Sequence, residues 1–227
     1  MNQLLLNISP EFQPAFENFL TGGNLELLSA LRHALTNEGS ERCFYLWGEA
    51  GCGKSHLLRA CQQAALAAQH SASYSTKGIP EPATLVAIDD VERLNETEQI
   101  ELFNLYNQMR EAGYLLLVSG TQSPIHLALR EDLRSRLGWG MVYQVHALNE
   151  AEKLTALMQH ARLKGFTLPA EVAQYLLCHG RRDLRSMLAV LDALDLHTLR
   201  LHRAPTVPLL KQILQYELGA LNESRFI

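Results

Sequence analysis

The stretch Gly48-Glu49-Ala50-Gly51-Cys52-Gly53-Lys54-Ser55 decides the fold. It satisfies the spacing G-x-x-x-x-G-K-[ST]. It stands between a strand-like run, Cys43 to Trp47, and an apolar stripe at helical spacing, Leu57, Leu58, Cys61, Ala64, Ala65 and Ala68. Glycines there let the backbone turn so that successive N–H groups face a phosphate at the start of a helix, whose dipole also favours an anion. Lys54 is placed to reach the β- and γ-phosphates, and Ser55 to offer its hydroxyl to Mg²⁺. Gly48, Gly51, Cys52, Gly53, Lys54 and Ser55 are therefore the expected binding residues for ADP or ATP.

Outward from that loop, short strand-like runs recur at Ala72 to Ser75, Leu85 to Ile88, Tyr114 to Val118 and Val142 to Val145. A second helix is expected around Ile100, Phe103, Leu105, Tyr106 and Met109. Strand, helix, strand in alternation implies a parallel sheet, because parallel strands need long crossovers. The pattern changes near Ala147. From there Asn149 to Leu163, Pro169 to Cys178, Asp183 to Leu199 and Val207 to Tyr216 all read as helices, punctuated by Gly165, Gly180 and Pro205. The expected fold class is α/β: a P-loop NTPase parallel sheet with a C-terminal α-helical domain. Its parts are an extended peptide at 1–9, the α/β nucleotide-binding base at 10–146 and the helical domain at 147–227.

The run Leu85 to Ile88 ends in Asp89 and Asp90, at the C-terminal edge of the expected sheet, where open α/β sheets bind ligands. Asp89 is the expected Mg²⁺ partner together with Ser55, directly or through water. Asp90 would orient or polarise an attacking water.

Composition narrows the class further. The 227 residues are 47% apolar and 19% charged, which a disordered chain is not, and the formal net charge of −4 argues against holding nucleic acid by bulk counterion release. No stretch approaches the roughly 18 apolar residues of a membrane span. The first residues lack the flank and cleavage site of a signal peptide, so a cytoplasmic chain with no membrane partner is expected. Four cysteines without paired spacing and nine histidines without ligand spacing give no metal site of their own.

One further stretch is more specific. Asp132-Leu133-Arg134-Ser135-Arg136-Leu137-Gly138-Trp139-Gly140 contains the signature S-R-(F/L)-x-W-G. With Gly48 to Ser55, Leu85 to Asp90 and the helical C-terminal part, it resembles the AAA+ ATPases related to the bacterial replication initiator DnaA. Phe16-Glu17-Asn18-Phe19 is similar to the family's leading segment beside the adenine. The resemblance implies that the helical domain is a lid and that Arg136 is an arginine finger reaching a neighbouring subunit's γ-phosphate, with Arg134 the weaker candidate. It also implies that Arg185, within Asp183-Leu184-Arg185, is the second nucleotide sensor. The first sensor falls in Ser119-Gly120-Thr121, where relatives commonly carry Asp at the position of Thr121; the shorter Asp90, where many hydrolases carry Glu, points the same way, toward weak or no hydrolysis in cis.

Three features then select among relatives. The chain runs only about ten residues past its last predicted helix, which leaves no room for the initiator's DNA-reading domain. Gly78 to Thr84 is short where the initiator has an insert for single-stranded DNA. Gln3-Leu4-Leu5-Leu6-Asn7-Ile8 is similar to the Q-L-x-L-x-[LI] peptide that docks on the sliding clamp, the β subunit of DNA polymerase III, with Gln3 in a polar pocket and Leu4, Leu6 and Ile8 on one face. The resemblance thus implies a negative regulator of replication initiation. Held by the DNA-loaded clamp, and near DNA mainly through it, such a protein stimulates hydrolysis of DnaA-bound ATP in trans through Arg136. ADP in its own site would favour the active form, and self-association stays open. The rival expectation is a helicase-loader-like or remodelling AAA+ ATPase that turns over its own ATP.

Overall fold

The computed structural model describes residues 13–36, 41–181, 183–201 and 204–223. The chain divides into two compact units with the boundary after His146, Ala50–Cys52 being grouped with the second.

The first unit runs α1 (Leu25–Leu35), β1 (Cys43–Trp47), α2 (Lys54–Ala67), β2 (Ala72–Ser75), β3 (Leu85–Ile88), α3 (Glu96–Ala112), β4 (Leu115–Gly120), α4 (Glu131–Trp139) and β5 (Met141–Gln144). Short 3-10 turns at Phe16–Asn18, Val91–Arg93 and Pro124–His126 connect them. All five strands are parallel, in the order β2-β3-β4-β1-β5. That order sets β1 beside β4 and β4 beside β3. The ends of these three strands, at Trp47, Gly120 and Ile88, therefore meet at one edge of the sheet.

Alternation along each strand sorts the core into two faces. Cys43 and Tyr45 of β1, Val86 and Ile88 of β3, and Leu116 and Val118 of β4 pack with Leu102, Leu105 and Met109 of α3 and with Leu133 and Leu137 of α4. Phe44, Leu46, Leu85, Ala87, Leu115 and Leu117 are buried on the other face, where Leu57, Leu58 and Cys61 bury the apolar stripe of α2. Each fully buried leucine contributes about 1.5–3 kcal/mol relative to exposure. Local signals agree with this packing. Helix α3 starts in a reciprocal cap, Asn95 Oδ1 accepting from the Glu98 N–H at 3.0 Å and Glu98 Oε2 accepting from the Asn95 N–H at 2.8 Å.

Several sequence expectations shift. Helix α1, with Leu27, Leu28, Leu31 and Ala34 buried, has no counterpart in the sequence reading. Ile100 is 44% exposed, because the buried stripe of α3 is Leu102, Leu105, Tyr106 and Met109. Strand β4 begins one residue later than expected and continues through Ser119 and Gly120, which pair with Leu46 and Trp47 of β1. Strand β5 lies one residue earlier than expected, at Met141–Gln144.

The second unit holds α5 (Glu150–Leu163), α6 (Ala170–His179), α7 (Leu184–Leu201) and α8 (Val207–Glu223). The last helix runs to Glu223, beyond the expected end at Tyr216. Its core is built from Leu157, Val172, Leu176, Leu191, Leu194 and Leu210, among others. Among the described residues no helix is long and apolar enough to cross a membrane.

Candidate functional site

Between the end of β1 and the start of α2 the chain turns through the loop singled out from the sequence. Gly53 adopts φ 111°, a left-handed conformation that side chains rarely take, and Phe19 Cε2 lies 2.7 Å from where a Cβ would stand. Glycine is thus required twice over at this position. Lys54, the first residue of α2, is buried and donates from Nζ to the carbonyls of Gly48 at 2.7 Å and Glu49 at 3.0 Å. The ammonium is therefore gathered into the loop beside the N-terminus of α2, an arrangement suited to an anion. Cys52 is buried and Ser55 is exposed.

The segment before α1 is fastened to the same place. Phe19 and His56 rings lie 5.5 Å apart, and His56 Nε2 is 2.9 Å from the Ala15 carbonyl, to which it donates. Burial holds the His56 imidazole below its ordinary pKa, partly offset by that hydrogen bond.

At the neighbouring strand ends a polar cluster forms around Asp89, which is 3% exposed. Its Oδ1 accepts a short hydrogen bond from the Ser119 hydroxyl at the end of β4, and its Oδ2 accepts from the Tyr74 hydroxyl of β2 at 2.7 Å. Ser119 Oγ in turn accepts from the Asp90 N–H at 3.1 Å. Asp90 itself sits in the left-handed region at φ 56°, ψ 53°, with its carboxylate 3.3 Å from Arg93. Burial, then the adjacent Asp89 charge, pushes the Asp90 carboxyl up from its ordinary value. Ser119 supplies the polar side chain of the expected first-sensor stretch, whereas Thr121 is exposed beyond the strand. Tyr74 is absent from the sequence-derived site. Only the pairing of β2 with β3, Tyr74 opposite Ala87, brings it to Asp89.

The donor set suits Mg²⁺. A serine hydroxyl and a carboxylate are hard oxygen ligands, and Mg²⁺ keeps several of its waters. Asp89 already accepts a hydroxyl at each oxygen, which fits contact through that water shell. No group of three or more His, Cys, Asp or Glu side chains that could hold a metal occurs among the described residues.

Arg136 lies elsewhere in this unit, in the last turn of α4. Its guanidinium packs over Trp139, with Phe103 and Tyr106 of α3 nearby, on the sheet face opposite α2. Gly140, just past α4, is pressed against the Cys43 carbonyl at the start of β1, the end of that strand remote from Gly48. Arg134 is half-buried on the same helix. In the second unit, Arg185 is exposed on the first turn of α7, which is capped by Asp183 Oδ1 accepting from the Ser186 N–H at 2.9 Å. Gln3, Leu4, Leu6 and Ile8 lie outside the described residues.

Both halves of the chain resemble known families. Residues 75–144 match the bacterial DnaA ATPase domain, and residues 150–214 match the family described as "Hda, lid domain". An uncharacterized protein of Haemophilus influenzae is 35% identical over 93% of this chain and 98% of its own length. Among solved structures, domain III of the Thermotoga maritima replication initiation protein DnaA superposes with a TM-score of 0.77 at 20% identity, over 89% of this chain and 96% of that one. AMPPCP-bound DnaA from Aquifex aeolicus superposes with a TM-score of 0.71 at 23% identity, over 81% of this chain but 65% of that one. The chain thus spans just under two thirds of the latter protein.

Proposed function

Because the chain belongs to the DnaA-related AAA+ family and carries a lid of the Hda type, we propose that it is a nucleotide-bound negative regulator of replication initiation, whose target is DnaA loaded with ATP. ADP or ATP occupies the loop from Gly48 to Ser55, with Lys54 turning from the loop carbonyls to the phosphates and Arg185 sensing them from the lid. Mg²⁺, held by Ser55 and by Asp89 through water, supplies charge neutralisation at the phosphate oxygens when bound.

The observation that carries the reading is the placement of Arg136. Its aromatic bed lies on the face opposite α2, and its helix ends against the start of β1, so this guanidinium is turned away from the chain's own loop. It is available to a neighbouring molecule. Presented to the triphosphate of DnaA, it offsets the charge that develops on the transferring phosphoryl oxygens, an effect worth about 10³–10⁵ in rate for arginine fingers. DnaA then passes from its ATP to its ADP form. Hydrolysis in cis is weak on this reading, which the pairing of the Asp90 carboxylate with Arg93 supports.

The peptide Gln3, Leu4, Leu6 and Ile8 docks on the polymerase III sliding clamp, a role supported by its sequence spacing. Tethering there raises the effective concentration near DnaA and ties inactivation to replication in progress, with DNA approached through the clamp. The test is to incubate ATP-loaded DnaA with this protein, with and without DNA-loaded clamp, and to follow conversion to ADP. Clamp-dependent conversion is expected. Sustained ATP turnover by this protein alone, at about one per second or faster, would favour the helicase-loader-like alternative.

A further inference from the structure

We propose that Tyr74 is the positioning residue for the Asp89 carboxylate and sets how strongly Mg²⁺ reinforces nucleotide binding at this site. The inference rests on the nucleotide-binding reading given above and adds a residue to it.

Asp89 stands at the end of β3, and its two oxygens are held from opposite sides, by Ser119 of β4 and Tyr74 of β2. The proton of Ser119 is committed to Asp89, because Ser119 Oγ is itself the acceptor for the Asp90 N–H. The Tyr74 phenol is a donor of fixed direction as well. Facing a carboxylate, which only accepts, the phenol hydroxyl is the donor of this hydrogen bond. The ring is braced from α2, where the Arg59 guanidinium lies 4.2 Å from its centroid. A helix that begins at Lys54 and three adjacent strands thus converge on one carboxylate.

A carboxylate that already accepts a hydroxyl at each oxygen is partly compensated, so it gains less from a cation than one that lacks those donors. Removing one hydroxyl changes that balance. Tyr74→Phe keeps the ring and its contact with Arg59 but leaves Asp89 Oδ2 buried without its donor. A nearby Mg²⁺ then restores what the hydroxyl had supplied. The tyrosine therefore moderates metal dependence.

The experiment is calorimetric titration of ADP into the full chain and into Tyr74→Phe, each in EDTA and in excess Mg²⁺. The readout is the dissociation constant in EDTA divided by that in Mg²⁺. That ratio is expected to rise about tenfold in the variant, with a rise in the same sense for Ser119→Ala, which removes the other hydroxyl. A side chain that only packs would alter stability and leave the ratio alone. An unchanged or smaller ratio in Tyr74→Phe overturns the proposal while leaving nucleotide binding intact, whatever Ser119→Ala does. Failure of the wild-type chain to bind ADP in either buffer overturns the nucleotide reading itself, and this inference with it. Ser119→Ala carries the test should Tyr74→Phe not fold.

Discussion

The guanidinium carbon of Arg136 stands 4.2 Å from the centre of the Trp139 ring, one turn further along the same helix, and that ring is 59% exposed. Arg136 is thereby aligned at the surface without being buried. A long side chain that would otherwise sample many rotamers is held in one orientation, a contact worth about 0.5–1 kcal/mol at an exposed site.

It follows that Arg136→Ala lowers the rate at which DnaA-bound ATP is hydrolysed by about 10³–10⁵, and that Arg136→Lys does not restore it, because lysine has neither the planar stack nor the forked donors. Trp139→Ala keeps the charge and loses only its alignment, so a fall of about two- to fivefold is expected. Single-turnover hydrolysis on preloaded DnaA measures all three. Equal rates for Arg136→Ala and the wild type would remove the basis for action in trans.

Lys54 gives a separate test of the chain's own nucleotide site. In the wild type, ADP at about 100 times its dissociation constant raises stability by about 2.7 kcal/mol. Lys54→Ala deletes the buried ammonium that the Gly48 and Glu49 carbonyls hold beside the helix start, so the ADP-dependent rise in melting temperature should vanish. Thermal melts with and without ADP measure this. A variant that still responds to ADP as the wild type does would place the phosphates elsewhere.

How far the sequence could be read depended on how local each feature is. The loop from Gly48 to Ser55 is contiguous, so its chemistry is carried by neighbouring residues whatever the rest of the fold does. Strands β1 and β3 were legible for a similar reason, being short apolar runs that end in glycine or polar residues. Strand β4 was misjudged at its end. Ser119 and Gly120 look like turn residues, but β4 is central and β1 pairs with it along that length. The Asp89 cluster was only half legible, since Tyr74 and Ser119 reach it from two further strands and their meeting depends on register. The same holds for the bed of Arg136, where Phe103 and Trp139, thirty-six residues apart in sequence, flank one guanidinium.

The face of α3 offers a stability test in which sequence and structure differ. Leu102 is fully buried and Ile100 is 44% exposed on the same helix. Leu102→Ala should cost about 2–5 kcal/mol through lost contacts and a cavity. Ile100→Ala should stay within about 0.5 kcal/mol, as surface changes do. Urea unfolding of the two variants compares them directly. Similar losses at both positions would mean that the helix is rotated from the orientation described.

His56 predicts a pH response at the junction between the leading segment and the phosphate loop. Its Nε2 donates to the Ala15 carbonyl, its ring meets Phe19, and Phe19 covers Gly53. Burial lowers its pKa below the usual 6.5. Since the folded value is depressed, the neutral imidazole is favoured by folding. The associated stability is present above the unfolded pKa and is lost as pH falls through the folded one. Between about pH 7.5 and 5.5 the wild type should therefore lose more stability than His56→Gln, which cannot titrate. Asp90 works in the opposite sense, its raised carboxyl favouring the fold as pH falls. It is common to both proteins, as are the other histidines, so the difference between the two melting curves isolates the imidazole. Parallel curves across that range would show that His56 is as hydrated in the folded chain as in the unfolded one, and that the segment from Ala15 to Phe19 is not fastened through it.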